Sequence, residues 1–232
     1  MSHKPRTAAI IPAGGIGSRM GLDIPKQFYE LDSRPILAHT LLVMENCPAI
    51  SVIIVAVPPD FIGQTKKIVI DYKIDKITEI VAGGKLRQDS VKAGLALVPD
   101  DIDYVAVHDG ARPFVSCSII TSCIAAAQEC GAALAAVPAG DTMKEVDDFG
   151  MVVRTVDRKK IQLAQTPQVV RVSLLRQAFK IAEKDNFIGT DEASFLEHIK
   201  APVKIVNGSE KNIKITRPDD LLLAQALLLN EK

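Results

Sequence analysis

The residues best suited to chemistry in this chain are glycines standing beside cations. An apolar run from Ala8 to Pro12 leads into Ala13, Gly14, Gly15, Ile16, Gly17, Ser18 and Arg19, and Pro25-Lys26 follows shortly after. Glycines placed just past a strand let backbone N–H groups approach a phosphate. Arg19 and Lys26 are two cations that can flank a triphosphate. The familiar phosphate loops do not fit. A Walker A loop needs Gly-Lys-Ser/Thr, which is absent, and Gly15, Gly17 and Gly21 give G-x-G-x-x-x-G in place of G-x-G-x-x-G. No acid stands between Pro35 and Thr40 to hold a ribose.

A second group follows the apolar stretch Tyr104 to Val107, which ends in His108, Asp109, Gly110, Ala111, Arg112, Pro113 and Phe114. Asp109 at a strand's carboxyl end can hold a metal or a sugar hydroxyl, and Arg112 an anion. A turn closed by an internal Asp–Arg pair is the plainer alternative. Cys47, Cys117, Cys123 and Cys130 include no C-x-x-C pair, and His3, His39, His108 and His198 are scattered, so no zinc site is expected.

The elements that must carry these residues alternate. Strands are expected at Ala8 to Pro12, Ser51 to Val57, Lys76 to Val81, Tyr104 to His108 and Ala132 to Val137, rich in Val, Ile and Ala on both faces. Between them the spacing predicts helices over Pro35 to Asn46, Pro59 to Asp71, Arg87 to Val98 and Ser118 to Cys130. Pro35 can open the first, Asp60 can cap the second and Gly131 ends the last. This is the pattern of an α/β, doubly wound, mostly parallel sheet.

It breaks between Asp141 and Val170, a charged stretch with Asp147-Asp148-Phe149-Gly150 as a turn signal, which reads as an inserted β-arm outside the main sheet. A helix over Val172 to Lys184, a short helix from Asp191, strands at Val203 to Val206 and Ile213 to Thr216, and a helix opened by Pro218 complete the series. With no linker or repeat, residues 1–232 are expected to form a single domain, with 141–170 as its dimerisation element.

The 232 residues are 47% hydrophobic and 24% charged, which excludes a disordered or fibrous chain. Lys and Arg number 28 and Asp and Glu 28, so no overall field recommends nucleic acid or an anionic membrane. Any anion site must be local. The amino-terminal apolar stretch is too short for a secretory signal, and no uncharged run reaches a membrane span, so a cytoplasmic protein is expected.

The loop A-G-G-x-G-x-R-M-G with P-K-Q resembles the opening of nucleotidyltransferases acting on sugar and polyol phosphates. Further motifs follow: GGKLRQDSV at Gly83 to Val91, HDGARP, TVDR at Thr155 to Arg158, QTPQ at Gln165 to Gln168, TDEAS at Thr190 to Ser194 and NIKITRPDD at Asn212 to Asp220. In that order and spacing they resemble the 2-C-methyl-D-erythritol 4-phosphate cytidylyltransferases of non-mevalonate isoprenoid biosynthesis, over nearly the whole chain.

The resemblance implies a Rossmann-like nucleotidyltransferase fold and transfer of CMP from CTP to the polyol phosphate, with Mg²⁺ required and a homodimer formed. Ribitol 5-phosphate is the rival acceptor. By the same resemblance, Arg19 and Lys26 stabilise charge at the α-phosphate, and Ala13, Gly14, Gly15 and Gly17 cradle the triphosphate. Gly83, Gly84, Lys85 and Ser90 meet the cytosine. Asp109, counted among the CTP contacts, and Arg112 lie near ribose, metal and polyol, Asp109 being the protein contact to a Mg²⁺ held mainly by CTP phosphates. Arg158 and Lys214 clamp the incoming phosphate, Thr142 and Arg158 reaching the partner's site, while Thr166, Thr190 and Lys214 line the substrate side.

Three departures are visible: Ala13-Gly14-Gly15 where the family commonly has A-A-G, Gly110 where it has Ala, and Lys85 where an acid is common. The first two leave backbone donors intact. The third removes any acidic side chain from the reading of cytosine.

Overall fold

The computed structural model describes residues 5–15 and 24–229. Strand β1 (Thr7–Pro12) is followed by a short ribbon, β2 (Glu30–Leu31) and β3 (Arg34–Pro35), and helix α1 (Ile36–Asn46). Next come β4 (Val52–Val57), α2 (Ile62–Asp71), β5 (Ile77–Ala82), α3 (Arg87–Ala96), β6 (Tyr104–Val107), α4 (Cys117–Cys130) and β7 (Ala132–Pro138). A hairpin of β8 (Lys144–Val146) and β9 (Val152–Thr155) precedes β10 (Gln162–Arg171), α5 (Val172–Lys184), α6 (Glu192–His198), β11 (Lys204–Asn207) and α7 (Pro218–Leu229).

Seven strands form one sheet in the order β11-β7-β10-β6-β1-β4-β5. Its pairs are parallel except those of β10, which runs antiparallel to both β6 and β7. The strand side chains alternate between two cores, as the two-residue period of a strand requires. Ala9, Ile11, Ile53 and Val55 pack with Leu37 and Leu41 of α1, Ile68 of α2 and Ile120 of α4. On the other face Ala8, Ile10, Val52 and Ile54 meet Val91 and Leu95 of α3, Leu175 of α5 and Phe195 of α6. Every residue of β1 and β4 is buried, the condition their unbroken apolar sequence anticipates. Gly94 of α3 faces this second core, where an added Cβ would stand 2.7 Å from Ile10 Cγ2, so α3 lies close against β1.

Several sequence expectations need correction. The arm is shorter than 141–170: only β8 and β9 leave the main sheet, while residues 162–171 form one of its strands. The polar Gln165, Thr166 and Gln168 are buried because each is hydrogen-bonded, to Ser209, His108 and Asp191 respectively. Residues 213–216 form no strand; the Ile215 N–H instead donates to the Ala111 carbonyl at 2.9 Å. Asp60 makes no cap, since Pro59–Phe61 forms a 3-10 turn before α2 and Phe61 occupies the cap position. Gly131 does end α4, at φ +95°, where a side chain would be strained.

Candidate active site

The carboxyl ends of β1, β5 and β6 open onto one cleft of about 670 Å³. Its walls come mainly from the loops after β1, β5 and β6, with Pro58 and Pro59 after β4 and Lys214 from the segment before α7. After β1, the Ala13 N–H bonds the Ala56 carbonyl at 2.7 Å and carries the chain into Gly14 and Gly15, both lining the cleft. The Gln27 amide, oriented to satisfy both groups, donates to the Gly15 carbonyl at 3.1 Å and accepts from its N–H at 3.3 Å. Lys26, on the 3-10 turn Lys26–Phe28, is mostly buried and lines the same wall. Arg19 and Gly17 lie outside the described residues.

After β5, the Gly83 N–H continues the ladder to the Val57 carbonyl, and the Gly84 N–H donates to Ser90 Oγ at 3.2 Å. The Leu86 N–H donates to Asp89 at 3.0 Å as α3 begins. The turn is so tight that a Cβ on Gly83 would stand 2.7 Å from Ser90 Oγ, and one on Gly84 2.2 Å from Asp89 Cβ. Gly83, Gly84, Lys85 and Ser90 all line the cleft, so the amino end of α3 faces it.

After β6 comes the densest network. His108 is fully buried, with Nε2 3.0 Å from the Arg112 carbonyl and Nδ1 3.0 Å from Thr166 Oγ1. A carbonyl only accepts, so Nε2 carries the proton and Nδ1 accepts from the threonine. The Thr166 hydroxyl also accepts from the Asp109 N–H at 3.1 Å. Burial pushes His108 down to about 4, which keeps it a neutral strut of the loop.

Asp109 is surrounded by cations. Its Oδ1 accepts from Arg87 Nε at 3.1 Å, while Oδ2 lies 2.8 Å from Lys214 Nζ and 3.6 Å from Arg112 Nε. Burial would raise its pKa, but Arg87 and Lys214 outweigh that and hold the carboxyl well below the usual carboxylate range. Arg87 in turn forks onto Glu192, Nη1 to Oε1 at 2.7 Å and Nη2 to Oε2 at 2.9 Å. Burial alone would weaken the guanidinium's charge, and the carboxylates of Glu192 and Asp109 reverse that. Glu192 is fully buried at the start of α6; burial pushes its carboxyl up against the pull of Arg87.

Lys214 is brought here by the extended segment before α7. Arg112 Nη1 donates to the Asn212 carbonyl at 2.7 Å, and Asn212 Nδ2 donates to the Thr166 carbonyl at 2.9 Å.

Of the residues expected from sequence, Gly14, Gly15, Lys26, Gly83, Gly84, Lys85, Ser90, Asp109 and Lys214 therefore meet in one cleft. Ala13 is buried beneath it. Arg112 and Thr166 stand behind the wall, the one tied to Asn212 and Asp109, the other to His108 and the Asp109 N–H. Thr190, Thr142 and Arg158 do not line it: Thr190 gives its N–H to Ser194 Oγ at the start of α6, and Arg158 bonds the Gly140 carbonyl at the root of the arm. Arg87 and Glu192 were missed as site residues. Both lie inside motifs already notable in the sequence, but nothing local says that they pair across 105 residues.

The profile described as "IspD: 2-C-methyl-D-erythritol 4-phosphate cytidylyltransferase" matches residues 7–230. A protein of that name from Syntrophus aciditrophicus is 47% identical over 230 residues, covering 99% of this chain and 98% of its own. The bifunctional enzyme IspD/IspF of Desulfotalea psychrophila is also 47% identical, over 226 residues that make up 97% of this chain and 57% of that enzyme. Among solved structures, 4-diphosphocytidyl-2C-methyl-D-erythritol synthase from Anaerococcus prevotii superposes with a TM-score of 0.86 at 30% identity, covering 97% of this chain and 96% of that one. The Francisella tularensis cytidylyltransferase gives 0.81 at 37% identity, covering 95% and 99%.

Proposed function

The chain belongs to the 2-C-methyl-D-erythritol 4-phosphate cytidylyltransferase family, and from that premise we propose how its own residues divide the work. The reaction transfers CMP from CTP to methylerythritol 4-phosphate and releases pyrophosphate. A phosphate monoester has a second pKa near ~6 and is mostly dianionic at neutrality, so the nucleophile needs no protein base. Its oxygen attacks the α-phosphorus of CTP while the bond to the β-phosphate oxygen breaks. The neutral, buried His108 is consistent with this, because it has no free nitrogen to accept a substrate proton.

Catalysis then consists of bringing two anions together and stabilising charge in the transition state. Lys26, with Arg19, stabilises the α-phosphate; Gly14 and Gly15 give the triphosphate a wall without side chains; Gly83, Gly84, Lys85 and Ser90 receive the cytosine. Lys214 holds the incoming phosphate, and Thr190 borders the polyol. Arg112 and Thr166 act by positioning Asp109. What carries this reading is the convergence of Lys26, Asp109 and Lys214, each from a different loop, on one cleft whose glycine walls leave room for a nucleotide.

Mg²⁺ fits this arrangement as a passenger of the nucleotide. Asp109 is the one carboxylate among the described cleft residues, and no cluster of three or more His, Cys, Asp or Glu that could hold a metal occurs among the described residues. Such a donor set suits an ion that keeps its waters and binds phosphate oxygens plus at most one carboxylate. When bound, it would neutralise triphosphate charge.

Residues 1–232 act as a single nucleotidyltransferase domain, and the β8–β9 arm pairs two copies. The arm carries Phe149 at 90% exposure with Met151, Val152 and Val153 also exposed, an apolar surface that a second subunit would cover. Thr142 and Arg158 beside it complete the partner's cleft. Four free thiols suit a reducing, cytoplasmic compartment. Pyrophosphate release from CTP, measured with methylerythritol 4-phosphate and separately with ribitol 5-phosphate, tests the reading: turnover with the first and little with the second is expected, and the reverse would overturn it.

A further inference from the structure

We propose that Arg87, oriented by Glu192, is a positioning residue that keeps Asp109 neutralised so that Lys214 is released to the incoming phosphate. The proposal rests on the role for Lys214 given above.

Lys214 has a competitor for its charge. Its Nζ is 2.8 Å from Asp109 Oδ2, so a substrate phosphate must draw the ammonium away from a carboxylate that is itself largely buried. Were Lys214 the main partner of Asp109, that withdrawal would strand a buried anion, which is strongly unfavourable. Arg87 removes the difficulty by occupying the other oxygen, Oδ1, at 3.1 Å. Arg112 Nε, 3.6 Å from Oδ2, is farther off, and its Nη1 is committed to the Asn212 carbonyl.

Glu192 explains why Arg87 presents that edge. A guanidinium has a planar fork of donors, and here both Nη groups are taken by the two Glu192 oxygens, leaving Nε to face Asp109. A lysine has one ammonium and cannot bridge two carboxylates with the same geometry. Charge counting agrees. Asp109 and Glu192 supply two negative charges against three positive from Arg87, Arg112 and Lys214, leaving one in surplus for a substrate anion. Glu192 also begins α6, whose amino end Gln168 holds by accepting from the Ala193 N–H at 2.9 Å and donating to Asp191 at 2.8 Å. The pair is therefore anchored to the sheet through β10.

The test compares Arg87→Lys and Glu192→Gln with the wild-type enzyme in steady-state assays varying each substrate, with thermal unfolding alongside. The expected result is a KM for methylerythritol 4-phosphate raised tenfold or more in Arg87→Lys and severalfold in Glu192→Gln, with the KM for CTP within about threefold. The charge-reversed double variant Arg87→Glu/Glu192→Arg should regain thermal stability relative to Arg87→Glu without regaining activity, because the pair is restored but a carboxylate now faces Asp109. Recovery of both would show a purely structural pair and overturn the proposal. So would a folded Arg87→Lys enzyme whose KM for the polyol phosphate stays within twofold of wild type. A wild-type enzyme inactive with both substrates would instead overturn the assigned reaction.

Discussion

Lys214 and Asp109 form an ion pair of 2.8 Å at the rim of the cleft, although one follows β6 and the other lies in the irregular segment before α7. The loops are locked together directly beside it, where the Ile215 N–H bonds the Ala111 carbonyl at 2.9 Å. A cation expected to bind phosphate is thus placed in advance, and the same backbone contact that replaces the expected strand at 213–216 fixes its position.

Lys26 is nearly buried and lines the same cleft. Lys26→Ala is expected to lower kcat by at least tenfold, equivalent to about 1.4 kcal/mol of barrier. Steady-state kinetics at saturating CTP check this. A smaller loss removes Lys26 from the transition state.

Arg158 tests the arrangement between subunits. Arg158→Ala and Lys26→Ala should each be impaired alone, but mixing them should restore some activity, because a hybrid dimer would have one cleft with Lys26 from one chain and Arg158 from the other. Mass measurement of the mixture would check that dimers form and exchange. No recovery despite exchange would place Arg158 outside the partner's site.

Gly84 has no room for a side chain, since its Cβ would lie 2.2 Å from Asp89 Cβ. Gly84→Ala must therefore push apart the Gly84 turn and the first turn of α3, at a cost of about 1–3 kcal/mol. The expected outcome is a lowered melting temperature and a raised KM for CTP, with the KM for the polyol phosphate less affected. Unchanged melting and CTP affinity would show that the turn is not as rigid as its contacts imply.

The buried His108 has its pKa lowered to about 4, from an ordinary value of 6.5, by burial. Between those values the unfolded chain takes up the proton and the folded one resists it, so this group's contribution is fully present above pH 6.5 and lost as pH falls toward 4. The difference amounts to about 3 kcal/mol across the window. Denaturant unfolding at several pH values should show a shallower fall in His108→Gln than in wild type, and identical slopes would remove His108 as the source. NMR of the ring should find it neutral at pH 6.

The alternation of apolar runs and helical spacing was sufficient to place β1, β4, β5, β6 and β7 to within a residue or so; β1, β4 and β6, covered on both faces, are apolar almost throughout, while the edge strand β5 carries Thr78 and Glu79 and was marked by its place in the alternation. The glycine loops, Lys26 and Asp109 were equally legible, since short motifs at strand ends point to the ligand edge of such a sheet, whereas Lys214 was marked only by the resemblance of its motif to the family. β10 was not. Its polar Gln165, Thr166 and Gln168 resemble a surface hairpin until the partners that satisfy them, Ser209, His108 and Asp191, are known to lie alongside. The Arg87–Glu192 pair was hidden for the same reason. Periodicity along a chain reports which face of an element is apolar, and therefore the fold. Which buried polar group satisfies which other depends on contacts between distant segments, and only the tertiary structure decides them.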